Sequence, residues 1–531
     1  MKVLIIGGYG VFGSRLAELL VTDDHVVCIA GRNLNSAEIA AKKIGCDALR
    51  LDRSGDLSAL AEFDVVVDAA GPFHAYGDAP YRLASAAIMQ GVHYLDLSDN
   101  AAFCAGIKQL DEKARAAGVC VLSGLSTVPA ISSAAVTALA NGETPSLIDC
   151  AILPGNNSPR GFSVMSSILN QTGRPISSWL GNKWVEAVGW SNPQTYDLPR
   201  GLKRQGWQIE VPDNQLFPQY FNAETVIFRA GLELGIMRWG LAALSKVRTI
   251  WPFPVDGVVL RVAKFLADLL QGLGTGNGGM SVMVLVGRER RYWRLLIEDG
   301  KGPYIPAVAT RALLRKDDLP IGAGAALDVI SLDEAEAAMA DLRVITEQVI
   351  EPIELLFPKV LQANFDKLPV EVRATHKTIS VSHWKGRASV VRGAGLWPCF
   401  LAVLFRFPAA SDDIEVEVKK TVTPQGETWR RRFGGSTFKS HLKATDNGMS
   451  ESFFPFTFLL DLKVEDDALH FPVKSGRFGP LPLPKWLLPV SIAKETAADG
   501  RFHFDVELRA PLTGGLMVHY QGYLEAGANA A

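Results

Sequence analysis

Three short stretches near the N-terminus hold residue types that could do chemistry together. Gly8-Tyr9-Gly10-Val11-Phe12-Gly13 spells G-x-G-x-x-G directly after the apolar run Val3 to Ile6, and it opens a helical pattern carrying Leu16, Leu19 and Leu20 on one side. In that setting the string predicts a diphosphate cradle. Gly8 permits a tight turn, Gly10 lets bare backbone approach the ligand, and Gly13 lets helix and strand touch. The helix N-terminus adds free amides and partial positive charge. One strand over, Ala30-Gly31-Arg32-Asn33 stands where an acid would hydrogen-bond a ribose 2′-hydroxyl. Arg32 offers instead a planar, charged fork for a 2′-phosphate, which predicts NADP(H) as the cofactor. Asp52, closing the third run, is placed to reach the adenine amino group. After the fourth run, Ala70, Gly71, Pro72 and Phe73 are expected to let ribose and nicotinamide pass. His74 and Tyr76 follow them as candidate proton donors for hydride transfer. Tyr94, Asp96, Ser98, Asp99 and Ser126 lie on the same edge, and a capping or turn role serves each of them equally well.

These residues need a parallel sheet to bring them together. Val3 to Ile6, Val26 to Ala30, Ala48 to Leu51, Val65 to Ala69, Tyr94 to Leu97 and Val119 to Leu122 read as six strands alternating with helical patterns. Their nearly all-apolar character predicts a doubly wound Rossmann sheet covered on both faces, over residues 1–130. Residues 131–345, punctuated by Pro and Gly, predict a mixed α/β domain for substrate or dimerisation. Residues 346–531 show period-two runs such as Phe502 to Leu508, separated by turns such as Asp499-Gly500, and predict a β-rich antiparallel domain.

The chain has 531 residues with 54 basic and 56 acidic ones, so no electrostatic case exists for a nucleic-acid partner. Six cysteines and the histidines lack metal-ligand spacing, which predicts reduced thiols and no metal. The first apolar run breaks at once into glycines with no small-residue cleavage site after it, and no run of eighteen apolar residues occurs. A cytoplasmic protein is the default expectation. Within residues 232–273, Val258, Val259, Val262, Phe265, Leu266, Leu269, Leu270 and Leu273 form an apolar stripe preceded by Trp239 and Trp251. The general rule that such a stripe faces a core favours packing inside the domain or on a twin subunit; contact with a bilayer surface is the alternative. Leu396 to Phe407 reads as a core helix or the wall of an apolar pocket. The basic runs Lys419-Lys420 and Arg430-Arg431-Arg432 read as a solvated strand face, with anionic lipid or a phosphorylated substrate as the rival reading.

The glycine string with Ala30-Gly31-Arg32, then Ala69-Ala70-Gly71-Pro72-Phe73, His93 to Asp99 and Ser123-Gly124-Leu125 resemble the NADP-binding domain of saccharopine dehydrogenase-like oxidoreductases. Arg160-Gly161-Phe162-Ser163 and Gly302-Pro303-Tyr304-Ile305-Pro306 resemble loops of the second domain in bacterial members. The region from Leu356 onward looks like a domain of uncharacterised function appended to some of these proteins. The resemblance implies an α/β second domain that covers the cofactor and often mediates dimerisation, so a homodimer acting on a small molecule is expected. Family reactions include making or cleaving the secondary amine of saccharopine, which suggests a C–N bond as the site of hydride transfer. No positions here match those enzymes' substrate-carboxylate-binding residues. A non-catalytic, membrane-peripheral protein that binds or senses NADP(H) is the alternative from a different class.

Overall fold

Strands β1 (Lys2–Ile6), β2 (Val26–Gly31), β3 (Asp47–Arg50), β4 (Val65–Asp68), β5 (His93–Asp96) and β6 (Cys120–Ser123) lie within one or two residues of the expected runs. In the computed structural model they form one parallel sheet in the order β3-β2-β1-β4-β5-β6. Alternation along β1 shows why both faces are covered. Val3 and Ile5 join the core that holds Leu16 and Leu20 of α1 (Val11–Thr22), whereas Leu4 and Ile6 face Leu83 and Ala87 on the other side. Burying each such side chain contributes roughly 1.5–3 kcal/mol. The described residues are 1–526 without Arg160, Asp256, Ser380, Pro424 and Gln425, and without the side chains of Phe162 and Ser163. The Arg160 to Ser163 motif therefore lies largely outside them.

A seventh parallel strand, Gly322–Ala325, pairs with β6 after the chain has built a second sheet. That second sheet is mixed and nine-stranded, centred on Leu147–Leu153, Thr225–Gly231 and Gly278–Val286. Its interior holds a satisfied polar cluster, in which Arg229 donates to Asp149 at 3.0 Å and to the Tyr196 hydroxyl at 2.8 Å. The returning helix Ile305–Leu314 packs on α1. There Arg311 grips Asp23 at 2.8 Å and Asp341 at 2.7 Å, while Tyr304 hydrogen-bonds Glu18.

The apolar stripe does not pack inward as the general rule predicts. Helices Gly235–Ile250 and Gly257–Leu269 expose Ile236, Trp239, Ile250, Phe265, Leu266 and Leu269, with Ile250 at 86% and Phe265 at 67%. Polar bonds hold this segment in place. Arg248 donates to the carbonyls of Leu169 and Thr172, and buried Asn156 donates to those of Leu270 and Leu273 past the end of the second helix. Among the described residues no helix is long and apolar enough to cross a membrane.

The chain separates into two units, Met1–Glu351 and Pro352–Ala531. The second is a thirteen-stranded antiparallel sheet whose central strands include Val381–Arg392, Ser411–Thr423 and Gly426–Phe433. Its helix Leu396–Leu404 is not a core helix: Leu401 and Ala402 are buried, but Leu396 is 93% exposed and Phe400, Val403 and Leu404 are also open to solvent.

Candidate functional site

The carboxyl ends of the parallel strands continue as a ladder of backbone bonds from loop to loop. Ala69 N–H donates to Ile6 O, Leu97 to Asp68 O, Leu125 to Asp96 O and Ala326 to Ser123 O, at 2.8–3.1 Å. This places the segments singled out by sequence along one edge. The left-handed turn falls at Gly7 (φ +77°), not at Gly8, and a Cβ on Gly7 would strike the Ala69-Ala70 backbone. Gly8 is required for another reason: a Cβ there would meet the Ile29 side chain at 2.5 Å. Gly13 acts as expected, since its Cβ would stand 2.4 Å from Gly7 O. Gly10 caps α1 without a side-chain bond, so the first-turn amides at Val11 and Phe12 remain for a ligand. The Tyr9 ring folds over Gly31, with its hydroxyl 3.5 Å from Asn33 N.

Arg32, exposed beside this loop, has no hydrogen bond or ion pair among the described residues. Asp52 is exposed and one of its oxygens caps its own turn by accepting from Ser54 N at 2.9 Å. Ala70 N–H donates to Asp68, and Gly71 and Pro72 are half-buried. The Phe73 ring is buried against Tyr76 and Phe103, with centroids 5.0 and 5.1 Å away.

The two candidate acids differ. The Tyr76 hydroxyl donates to both oxygens of Asp68 at 3.1 Å, and burial, followed by the Asp68 charge, pushes its pKa far up. It is a poor acid in this setting. His74, on the 3-10 turn Phe73–Ala75, is exposed and lies close enough for its charge to act on Asp99, which burial raises and His74 lowers. Sequence reading did not pair these two.

Buried carboxylates surround this edge. Asp96, fully buried, takes Ser98 N, Gly124 N and Ser123 Oγ on one oxygen, each at 2.9 Å, and its other oxygen has no partner. Burial pushes it up to about 7 against those three bonds. Two further residues were not anticipated. The Arg53 guanidinium stands 3.0 Å over the Tyr76 ring, and burial raises Asp213 to about 7 with the Ser132 hydroxyl opposing. Asp213 stands on helix Pro212–Tyr220, which comes from a distant part of the sequence and packs on Ala101–Gly106.

The order of the strands, the uncapped helix start and the unpaired arginine describe a nucleotide fold, and comparison with known families gives it a type. Residues 3–122 match the saccharopine dehydrogenase NADP-binding domain. The N-terminal domain is thus an NADP-binding domain of the saccharopine dehydrogenase type. Residues 368–524 match a domain of unknown function, DUF4166. Apo saccharopine dehydrogenase (L-Glu forming) from Saccharomyces cerevisiae is similar in structure at 17% identity and a TM-score of 0.45, over 66% of this chain and 99% of that one. A short-chain type dehydrogenase/reductase from Mycobacterium ulcerans (14% identity, TM-score 0.20) covers 23% of this chain and 65% of its own. RhlG of Pseudomonas aeruginosa in complex with NADP (15% identity, TM-score 0.20) covers 23% and 69%. No curated protein matches the chain.

Proposed function

We propose that the protein is an NADP(H)-dependent oxidoreductase of the saccharopine dehydrogenase-like kind, transferring a hydride to or from a C–N bond, with C=O and C=C bonds as the other acceptor classes. One observation carries the reading: the uncapped first turn of α1 faces the carboxyl edge of the sheet with the unpaired Arg32 one strand away. The amides from Gly8 to Gly13, with Tyr9, Val11 and Phe12 among them, would hold the diphosphate. Arg32 would hold the 2′-phosphate, Asp52 the adenine edge, and the backbone of Ala70 to Phe73 the nicotinamide ribose. When bound, the cofactor supplies a nicotinamide that gives or takes the hydride. His74, whose charge acts on Asp99, holds the proton that a reduced imine or carbonyl must gain. Tyr76 fixes Asp68 and acts as a positioning residue. In this scheme residues 1–130 carry the cofactor and residues 131–345 close over the substrate.

Fluorescence titration of the purified protein with NADPH and NADH, followed by an oxidation screen over imines, carbonyls and enoyl compounds, tests the proposal. Tighter NADPH binding and turnover in one class are expected; absence of nucleotide binding sinks it. In Arg32→Asp, NADPH affinity should fall at least tenfold relative to NADH, as loss of a charged phosphate contact requires.

The exposed faces of helices Gly235–Ile250 and Gly257–Leu269 favour a second reading, membrane-peripheral NADP(H) binding. Co-sedimentation with anionic vesicles that disappears in Phe265→Glu/Leu269→Glu supports it. A monomer–dimer shift on the same change, without vesicle binding, assigns that face to a twin subunit instead.

A further inference from the structure

The second unit encloses an apolar cavity with about 210 Å³ open to the centres of water molecules, against about 10–15 Å³ for a single water. Phe438, Phe458 and Phe504 all line it. Their strands, Ser436–Thr445, Phe456–Leu460 and Arg501–Arg509, would be spread over roughly 30 Å in a flat sheet at about 4.8 Å per strand. Sharing one cavity means that the sheet curls around it.

One end of this space is polar, and its charges are unequal in their partners. Arg431 pairs with Glu451 at 3.2 Å, Glu495 meets His376 at 2.5 Å, and Glu427 accepts from Trp429 at 2.8 Å. Lys420 is 1% exposed, yet among the described residues no carboxylate stands within 4.0 Å of it. Its ammonium donates to Thr375 O at 2.6 Å and rests 3.9 Å over the Trp429 ring, while the charges of Glu495 and Glu427 act from farther off. A buried cation held only by a carbonyl and a ring is costly unless something else completes its shell. Phe400, Phe454 and Trp486, next in sequence to the lining residues Leu401, Phe453 and Leu487, are all exposed.

We propose that this cavity binds a single long-chain apolar molecule, acyl or isoprenoid in character, whose one oxygen-bearing head accepts a hydrogen bond from Lys420. The head is a carboxylate or a carbonyl. The site is independent of nucleotide binding at the parallel sheet, and the two can fail separately.

The test is titration of the full chain with cis-parinaric acid, followed by displacement with hexadecanoic acid, its methyl ester and hexadecane. An emission rise saturating in the micromolar range is expected, with displacement by the acid or the ester well ahead of the hydrocarbon. Acid ahead of ester assigns a carboxylate head; equal displacement assigns a carbonyl. Lys420→Met should weaken the preferred headed ligand at least tenfold and hexadecane hardly at all. Ala493→Trp, which fills the cavity from the strand Val490–Ala498, should weaken all of them while NADPH binding is unchanged. No emission change with folded protein overturns the proposal, as does a Lys420→Met variant that still prefers headed ligands.

Discussion

The two large sheets of this chain put their polar groups in opposite places. In the parallel sheet, the strand interiors are largely apolar, and buried polar residues gather where the strands end, at Asp68, Asp96 and Ser123. In the antiparallel sheet the polar residues lie within strands: Lys420, Arg431 and Glu495 alternate with outward neighbours and point to the same interior as Val416 and Val418. A parallel sheet is covered on both faces by the helices that connect it, so only its edge is left for ligands. An antiparallel sheet needs no such crossovers and can enclose a ligand on one face.

The largest effect is expected at the parallel edge. Gly13→Ala puts a methyl group 2.4 Å from Gly7 O and must displace α1 from the loop. NADPH affinity should fall at least a hundredfold, with a stability loss of about 1–3 kcal/mol. Calorimetric binding and thermal melts check both, and unchanged NADPH affinity would separate the glycine contact from the cofactor. A smaller effect is expected at Asp96, whose buried carboxyl sits at about 7 against an ordinary 3.8. Below pH 4 it is protonated in both folded and unfolded chains. Between about 4 and 7 the unfolded chain releases that proton and the folded one keeps it, so stability drains as pH rises. Asp96→Asn keeps the accepting oxygen and should remove this slope, gaining up to a few kcal/mol at neutral pH. Parallel pH–stability curves for the two proteins would show that Asp96 is ionised in the fold. The smallest change lies in the antiparallel sheet, where Lys420→Met relieves an unpaired buried cation. The melting of the ligand-free second unit should rise by about 2–4 °C for each kcal/mol gained, and a fall would mean that the ammonium already has its partner.

Much of the fold around the candidate site was legible because it is local. β1 to β6 announce themselves by apolar runs, and the glycine string announces the turn between β1 and α1. What was missed is long-range or lacks side chains. Gly322-Ala323-Gly324-Ala325 carries no β-branched residue and so gives no strand signal, although it completes the sheet. Asp213 arrives on a helix distant in sequence, and the charge of His74 acts on Asp99 because β4 and β5 are neighbours. The exposed stripe on Gly257–Leu269 defeated the rule that apolar faces turn inward. In the second unit a signal was available, since Lys420 shares the parity of Val416 and Val418, but a run of basic residues reads first as solvated surface.

The seventh strand has a consequence for synthesis on the ribosome. Its partner β6 emerges early, yet the segment that covers that edge is made roughly 200 residues later, a contact of very high sequence separation. Until residue 325 is free, nascent chains carry an uncovered strand border able to recruit a neighbour. Slow assembly, dependence on chaperones and exchange of this strand between two growing copies are the expected costs, and a polypeptide stopped near residue 130 keeps the bare border of β6 permanently.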